Sequence, residues 1–295
     1  MTARSAGFGA RLAEAVLARG PLCAGIDPHP GLLDAWGLPR DAGGLEKFAL
    51  TAVDVLAERV AVVKPQSAFF EAFGAPGIAV LTRVQEHARA AGALVLLDVK
   101  RGDIGSTMGA YAGAYVADGA PLTADAITVS PYLGAGSLAQ TVELARAAGR
   151  GVIVLARTSN PESAAVQNAL LPNGKTVAQS IVDEVARWNE GVAPLGDVGV
   201  VVGATVPAGE LDLGGLNGPV LAPGFGAQGA TVADLRRVFG PGLPGVLPAS
   251  SRDILRHGPD PVALREAVVR VQESLAGQGF ADGGIGPISG PVLAT

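Results

Sequence analysis

Short apolar runs and helix-spaced segments alternate eight times along this chain. The runs are Leu22 to Asp27, Val60 to Val63, the stretch that starts at Leu94 and leads through Asp98 and Lys100 to Gly105, Ala126 to Ser130, Gly151 to Ala156, Val198 to Gly203, Pro219 to Ala222 and Gly245 to Pro248. Brief runs that are apolar at nearly every position read as strands buried on both faces. Between them, apolar residues recur at helical spacing over 44–59, 76–91, 106–118, 135–148, 175–190, 230–239 and 260–276, with only a short helix near 207–213 after the sixth run. Strand–helix alternation implies a parallel sheet, because parallel pairing needs a crossover. Eight such units in about 260 residues match a (β/α)₈ TIM barrel better than the rival open, doubly wound sheet.

The expected fold class is therefore α/β, as a single barrel. Residues 8–19 add an extra N-terminal helix, with Phe8, Leu12, Val16 and Leu17 on one stripe and Gly20-Pro21 as its stop. Residues 29–43 read as loop, and Ser106 or Thr107 as the cap of the helix after the third strand. No composition shift divides the chain, so residues 1–276 are expected to form one catalytic domain. The Gly- and Pro-rich residues 277–295 read as a loosely attached tail.

Composition removes several functions. The net charge of −5 provides no basic footprint for nucleic acid or an anionic membrane. A single cysteine, Cys23, rules out an intrachain disulfide, and its apolar setting marks an inert core thiol. The start of the chain lacks the apolar stretch of a signal peptide, and no run is long enough to span a membrane, so a cytoplasmic location is expected. His29, His87 and His257 are isolated, which argues against a zinc site or a Ser-His-Asp triad; no metal is expected. Trp36 and Trp188 read as core or rim residues.

Chemistry gathers where the strands end. The third run delivers Asp98, Lys100, Arg101 and Asp103 within six positions. Asp98 and Lys100 share a strand face, about 7 Å apart along the backbone, and Asp103 lies on the turn beyond. By itself Asp-x-Lys-x-x-Asp is equally an ion-pair network. In a barrel, however, all strand C-termini converge on the active-site face. Lys64 then arrives from the neighbouring strand, roughly 5 Å away. Only four lysines occur in the chain, and two of them stand here. Across the mouth, Pro223-Gly224-Phe225-Gly226-Ala227-Gln228-Gly229 forms a Gly-rich turn, and Ser251 and Arg252 follow the eighth strand. Backbone N–H groups and a guanidinium at strands seven and eight suit a phosphate.

The stretch Asp98-Val99-Lys100-Arg101-Gly102-Asp103-Ile104-Gly105-Ser106-Thr107 resembles the signature of the orotidine 5′-phosphate decarboxylase family. The phrases GIDPHP, VVKPQSAFFE, TVSPYLG, VVGAT and APGFGAQG resemble its bacterial second subfamily, over about residues 20 to 260. That resemblance implies cofactor-free decarboxylation of orotidine 5′-phosphate to UMP, the last step of de novo pyrimidine synthesis. Lys64, Asp98, Lys100 and Asp103 would form a charged tetrad in which Lys100 protonates C6 and Asp98 faces the departing carboxylate. Asp27 would bind the ribose and Ser130 the pyrimidine. Gly226, Gln228, Ser251 and Arg252 would serve the phosphate, and Ile104 and Thr107 would also contact substrate. Asp103 and Thr107 would enter the neighbouring subunit's site, which implies a homodimer with shared sites. The loop after strand seven and the loop 157–174 are the lid candidates.

Three other readings compete. A magnesium-dependent sugar-phosphate enzyme would use Asp98 and Asp103 as oxygen ligands. A Schiff-base aldolase would need an uncharged lysine, which flanking carboxylates oppose. A nucleotide sensor would keep the phosphate end without the intact charged set.

Overall fold

The structure is a computed structural model that describes residues 6–226, 229–240 and 244–277. Eight parallel strands close in sequence order: β1 (Cys23–Ile26), β2 (Val62–Pro65), β3 (Leu94–Arg101), β4 (Ala126–Val129), β5 (Gly151–Arg157), β6 (Val198–Val202), β7 (Val220–Pro223) and β8 (Val246–Ser250). β8 returns to β1, pairing Ala249 with Cys23. The fold is the (β/α)₈ barrel that the alternation predicts.

Both strand faces are buried, which explains the unbroken apolar runs. Alternate residues, among them Cys23, Val62, Leu96, Ala126, Ile153, Val201, Leu221 and Leu247, fill the barrel interior. Their neighbours, such as Val63, Val95, Leu97, Ile127 and Val154, pack outward against the helices. A period of two therefore sets which strand-end side chains point into the mouth.

The extra helix, Phe8–Arg19, belongs to the interior cluster through Phe8, Leu12 and Val16. It closes the N-terminal end of the barrel. Its Gly9 N–H donates to Asp197 just before β6 (2.8 Å), and Arg11 pairs with Asp125 just before β4 (2.6 Å). Arg19 donates to the carbonyls of Ala57 (2.8 Å) and Ala91 (3.1 Å). Gly151 is required beneath it, because a Cβ there would lie 2.3 Å from the Phe8 ring. With that end plugged, the C-terminal mouth is left for chemistry.

Several local expectations are corrected. The 29–43 loop contains a helix, Pro30–Ala35, whose cap His29 accepts the Gly31 N–H through Nδ1 (3.2 Å). The helix after β3 runs Gly105–Tyr115 and starts from Ile104 without a side-chain cap, so Ser106 and Thr107 lie inside its first turn. Residues 207–213 form turns rather than a short helix, and Gly209 sits there at φ +82°. The loop 157–174 holds a 3₁₀ turn, Pro161–Ser163, and a short helix, Ala164–Gln167. Trp36 is buried, stacks near Phe48 and donates to the Leu255 carbonyl (2.8 Å). The last helix extends to Gly277, and the rest of the expected tail lies outside the described residues.

Candidate active site

Lys64 sits near the end of β2, two residues after the inward-facing Val62, and Asp98 follows Leu96 on β3 in the same phase. Both side chains are therefore driven into the mouth, and both are buried. Lys64 Nζ donates to Asp98 Oδ2 (3.0 Å), and Lys100 Nζ donates to Asp98 Oδ1 (2.5 Å). Asp27, just past β1, places Oδ1 4.0 Å from Lys64 Nζ. One carboxylate is thus held between two ammoniums, with a second carboxylate behind Lys64.

Burial works against every charge in this cluster. For Lys64, burial alone would lower the pKa; the charges of Asp98 and Asp27 reverse this and hold it above the usual lysine value. For Asp98, burial would raise the pKa, but Lys64 and Lys100 outweigh it and hold the carboxyl well below the usual range. The pair is ionised. Lys100 differs, because nearly half of its side chain is exposed (45 %).

Two adjoining pockets share Lys64 and Pro223. One, about 690 Å³, lies against Asp98, Lys100 and Thr128 and is walled by Leu155, Val201 and Leu221, with Thr158, Ser159 and Asn160 at its edge. The other, about 540 Å³, reaches from Gly25 and Asp27 to Gly224, Ser251 and Arg252. Three buried polar atoms in the second pocket, Asp27 Oδ1, Ser250 Oγ and Ser251 Oγ, have no hydrogen-bond partner among the described residues. Gly25 permits this opening, since a Cβ there would stand 2.7 Å from Ser251 Cβ. A cationic, partly apolar chamber joined to a polar one suits a flat ring linked to a hydroxylated, anionic group.

A model of the orotidine 5′-phosphate decarboxylase / HUMPS family matches residues 20–267. The chain belongs to this family. An orotidine 5′-phosphate decarboxylase of Salinispora arenicola is 62% identical over 264 residues, covering 90% of this chain and 95% of the relative. That of Streptomyces coelicolor is 58% identical over 266 residues, with 89% and 95% covered. A crystal structure from Streptomyces avermitilis superposes with a TM-score of 0.90 at 55% identity, covering 93% of this chain and 96% of that one. The Leishmania donovani OMP decarboxylase superposes at 0.73, with 30% identity, 93% of this chain and 99% of that one covered.

Of the residues that the family resemblance singled out, Asp27, Lys64, Asp98, Lys100, Ser251 and Arg252 meet in these pockets. Arg252 is exposed at the rim, as the first residue of the short helix Arg252–Leu255. Gly226 lies beside them at φ +78°, pressed so closely on Asp253 that a Cβ would fall 2.0 Å from its carboxylate. Gln228 lies outside the described residues.

The others are not brought in by this chain's own fold. Asp103 points its Oδ1 at the Ile104 N–H (2.8 Å) and makes no ion pair with Lys64 or Lys100. Ile104 and Thr107 are exposed. Ser130 lines neither pocket: its N–H donates to the Arg101 carbonyl (2.7 Å), and its backbone packs on Gly102. The polar edge that faces the Asp98 chamber comes instead from Thr158, Ser159 and Asn160 after β5.

Sequence reasoning missed Thr128, which is fully buried and donates to Asp98 Oδ1 (2.8 Å). Its signal is plain in retrospect, because Thr128 follows Ala126 in the inward phase of β4 and Asp98 holds that phase on β3. It also missed the bracing of the loop after β5. Arg157 Nε donates to Glu210 (2.7 Å) and its Nη1 to Ser163 (2.8 Å), while Gln167 accepts the Thr158 N–H (2.8 Å). Among the described residues, no three His, Cys, Asp or Glu side chains converge as a metal cluster.

Proposed function

We propose that this family member converts orotidine 5′-phosphate to UMP and CO₂, the last step of de novo pyrimidine synthesis, with Lys100 as the proton donor. The observation that carries the assignment is the contrast between the two lysines. Lys64 is buried between Asp98 and Asp27 and is held above its usual pKa, so its proton is poorly available. Lys100 shares Asp98 but keeps nearly half of its side chain in contact with solvent.

The chemistry follows from charge. Breaking the C6–carboxylate bond releases CO₂ and leaves the electron pair on C6. A fixed ammonium stabilises that carbanion before any solvent can reorganise, which is commonly the largest catalytic contribution. Lys100 then gives its proton to C6, and solvent reprotonates the amine. Asp98 anchors Lys100 and stands where the carboxylate departs. Lys64 keeps Asp98 ionised and, with Asp27, faces the ribose side. The second pocket, with Ser251, Arg252 and the turn at Gly224 and Phe225, takes the phosphate, and this remote binding energy aligns the ring. Gln228 joins that end in this reading. Both Asp98 oxygens already accept from ammonium and hydroxyl donors, a poor set for magnesium, and the proposed steps are carried by the side chains alone.

The same reading places the enzyme in the cytoplasm and makes it a homodimer with Asp103, Ile104 and Thr107 serving the neighbour's site. Asp103 turns away from its own lysines. Ile104, Tyr132 and Leu133, on the turns after β3 and β4, are 61%, 80% and 51% exposed, apolar side chains that a second copy could cover. No helix among the described residues is long and apolar enough to cross a membrane.

The test is loss of orotidine 5′-phosphate absorbance with purified, chelator-treated protein. Lys100→Ala should abolish turnover while UMP still binds; turnover retained by that variant removes Lys100 from the role. Mixing Asp103→Ala with Lys100→Ala protein should recover activity, because each heterodimer then carries one intact site. No recovery despite demonstrated subunit exchange would place Asp103 in its own subunit's chemistry.

A further inference from the structure

We propose that Thr128 is a positioning residue for the decarboxylation, holding the Lys100 backbone and the Asp98 carboxylate in the geometry in which they act on substrate. The inference rests on the function proposed above.

The β3–β4 ladder breaks at the catalytic corner. Leu97 pairs with Ile127, and the next pair is Arg101 with Val129, so β3 advances four residues while β4 advances two. The surplus residues include Lys100, which is left-handed at φ +47°. A non-glycine residue in that region is uncommon and persists only when its surroundings hold it. Departure from the ladder also removes the regular carbonyl partner of the Lys100 N–H, which must find another acceptor.

Thr128 is that acceptor. The Lys100 N–H donates to Thr128 Oγ1 (3.0 Å), and the same hydroxyl donates to Asp98 Oδ1 (2.8 Å). One oxygen therefore ties the backbone of the proposed proton donor to the carboxylate that holds its ammonium. The hydroxyl proton is also directed, since an ionised Asp98 can only accept. Lys64 on Oδ2 and Lys100 Nζ on Oδ1 complete the shell around that carboxylate. Thr128 is fully buried, in phase with the apolar Ala126 beneath it. Burial alone does not impose such bonding here: the equally buried Thr141 hydroxyl has no partner among the described residues. Valine has nearly the same shape as threonine and supplies neither bond, so sterics alone do not require a hydroxyl at this position.

Thr128→Val, Thr128→Ala and Thr128→Ser separate geometry from bulk. In Thr128→Val and Thr128→Ala, kcat should fall about 10- to 100-fold, as for a small misplacement of a reacting group. KM for orotidine 5′-phosphate and the Kd for UMP should stay within about three-fold, the signature of an interaction lost only in the transition state. Thr128→Ser should restore most of kcat. Amide hydrogen exchange at Lys100, read by NMR without substrate, should speed up in Thr128→Val and remain slow in Thr128→Ser. An unchanged kcat in Thr128→Val, or an equal loss in all three variants, overturns the proposal. Absence of turnover by the parent enzyme would instead overturn the decarboxylase reading; the Lys100 amide would then judge the Thr128 contact, and unchanged exchange in Thr128→Val would refute it.

Discussion

Removing both members of the Lys64–Asp98 pair should harm the fold far less than the two single losses together. Their charged atoms stand 3.0 Å apart and are nearly inaccessible to water. At an effective dielectric constant of about 20, their attraction is roughly 332/(20 × 3.0), or about 5.5 kcal/mol, most of it offset by the desolvation of both ions. Lys64→Met strands Asp98, which keeps Lys100 and Thr128 as donors. Asp98→Ala strands Lys64, whose remaining ion-pair partner is Asp27 at 4.0 Å. Each single change should cost about 3–5 kcal/mol, or roughly 5–8 °C in Tm for a domain of this size, with Asp98→Ala the worse. The double variant strands neither member of the buried pair, leaving only the more exposed Lys100 and Asp27 without their partners, and should recover at least about 2 kcal/mol relative to the sum. Urea unfolding followed by circular dichroism, on all four proteins at pH 7 and equal concentration, measures the cycle. Coupling below about 0.5 kcal/mol would refute the reasoning, since the two groups would then behave as independent sites.

The Asp98 carboxyl is held low mainly by Lys64 and Lys100 against the opposing effect of burial, so its ionisation stabilises the fold above the unfolded aspartate pKa of about 3.9; this is lost as pH falls toward the lowered folded value. The stability gap between the parent and Asp98→Asn should accordingly narrow below about pH 4, and a gap that widens there would contradict the sign. Burial pushes the Cys23 thiol up to about 12, so a thiol-specific chromophoric reagent at pH 8 should detect no thiol in the folded protein and one after denaturation. Gly25→Ala forces a methyl group toward Ser251 Cβ, at 2.7 Å, and should cost about 1–3 kcal/mol of stability and weaken UMP binding; unchanged values in both would mean that the β1–β8 corner yields freely.

The barrel was legible because its strands are buried on both faces, which leaves continuous apolar runs that stop abruptly at charge. Lys64, Asp98 and Asp27 were legible for the same reason, each ending such a run. Segments that tertiary contacts rather than periodicity organise were less legible. His29 and Pro30 start a short helix inside what reads as loop, and residues 207–213 become turns with Glu210 held by Arg157. Ser130 follows β4, with its N–H on the Arg101 carbonyl beyond the register break, and strand phase alone does not set its side chain toward either pocket. Ser159, which reaches the chamber, lies beyond its strand and carries no periodic signal.

The spacing Asp98-x-Lys100-x-x-Asp103 shows how an arithmetic that is sound for a regular strand misleads at a functional corner. Alternation predicts that Asp98 and Lys100 share a face, and their charged atoms do meet at 2.5 Å. They meet for a different reason, however, since Lys100 is left-handed and no longer in the ladder. The same irregularity turns the chain so that Asp103 caps the Ile104 N–H rather than reaching back to either lysine. A regular strand would have spread these charges along one edge. The surplus residues concentrate two of them and leave the third on the turn beyond the strand. Strain at Lys100, at a general cost of about 1–3 kcal/mol, is affordable because Thr128 and Asp98 over-determine the residue from both its backbone and its ammonium. Placing that strain at the solvent-accessible lysine of the mouth, rather than at the buried Lys64, puts the irregular backbone under the group proposed to give up and regain a proton.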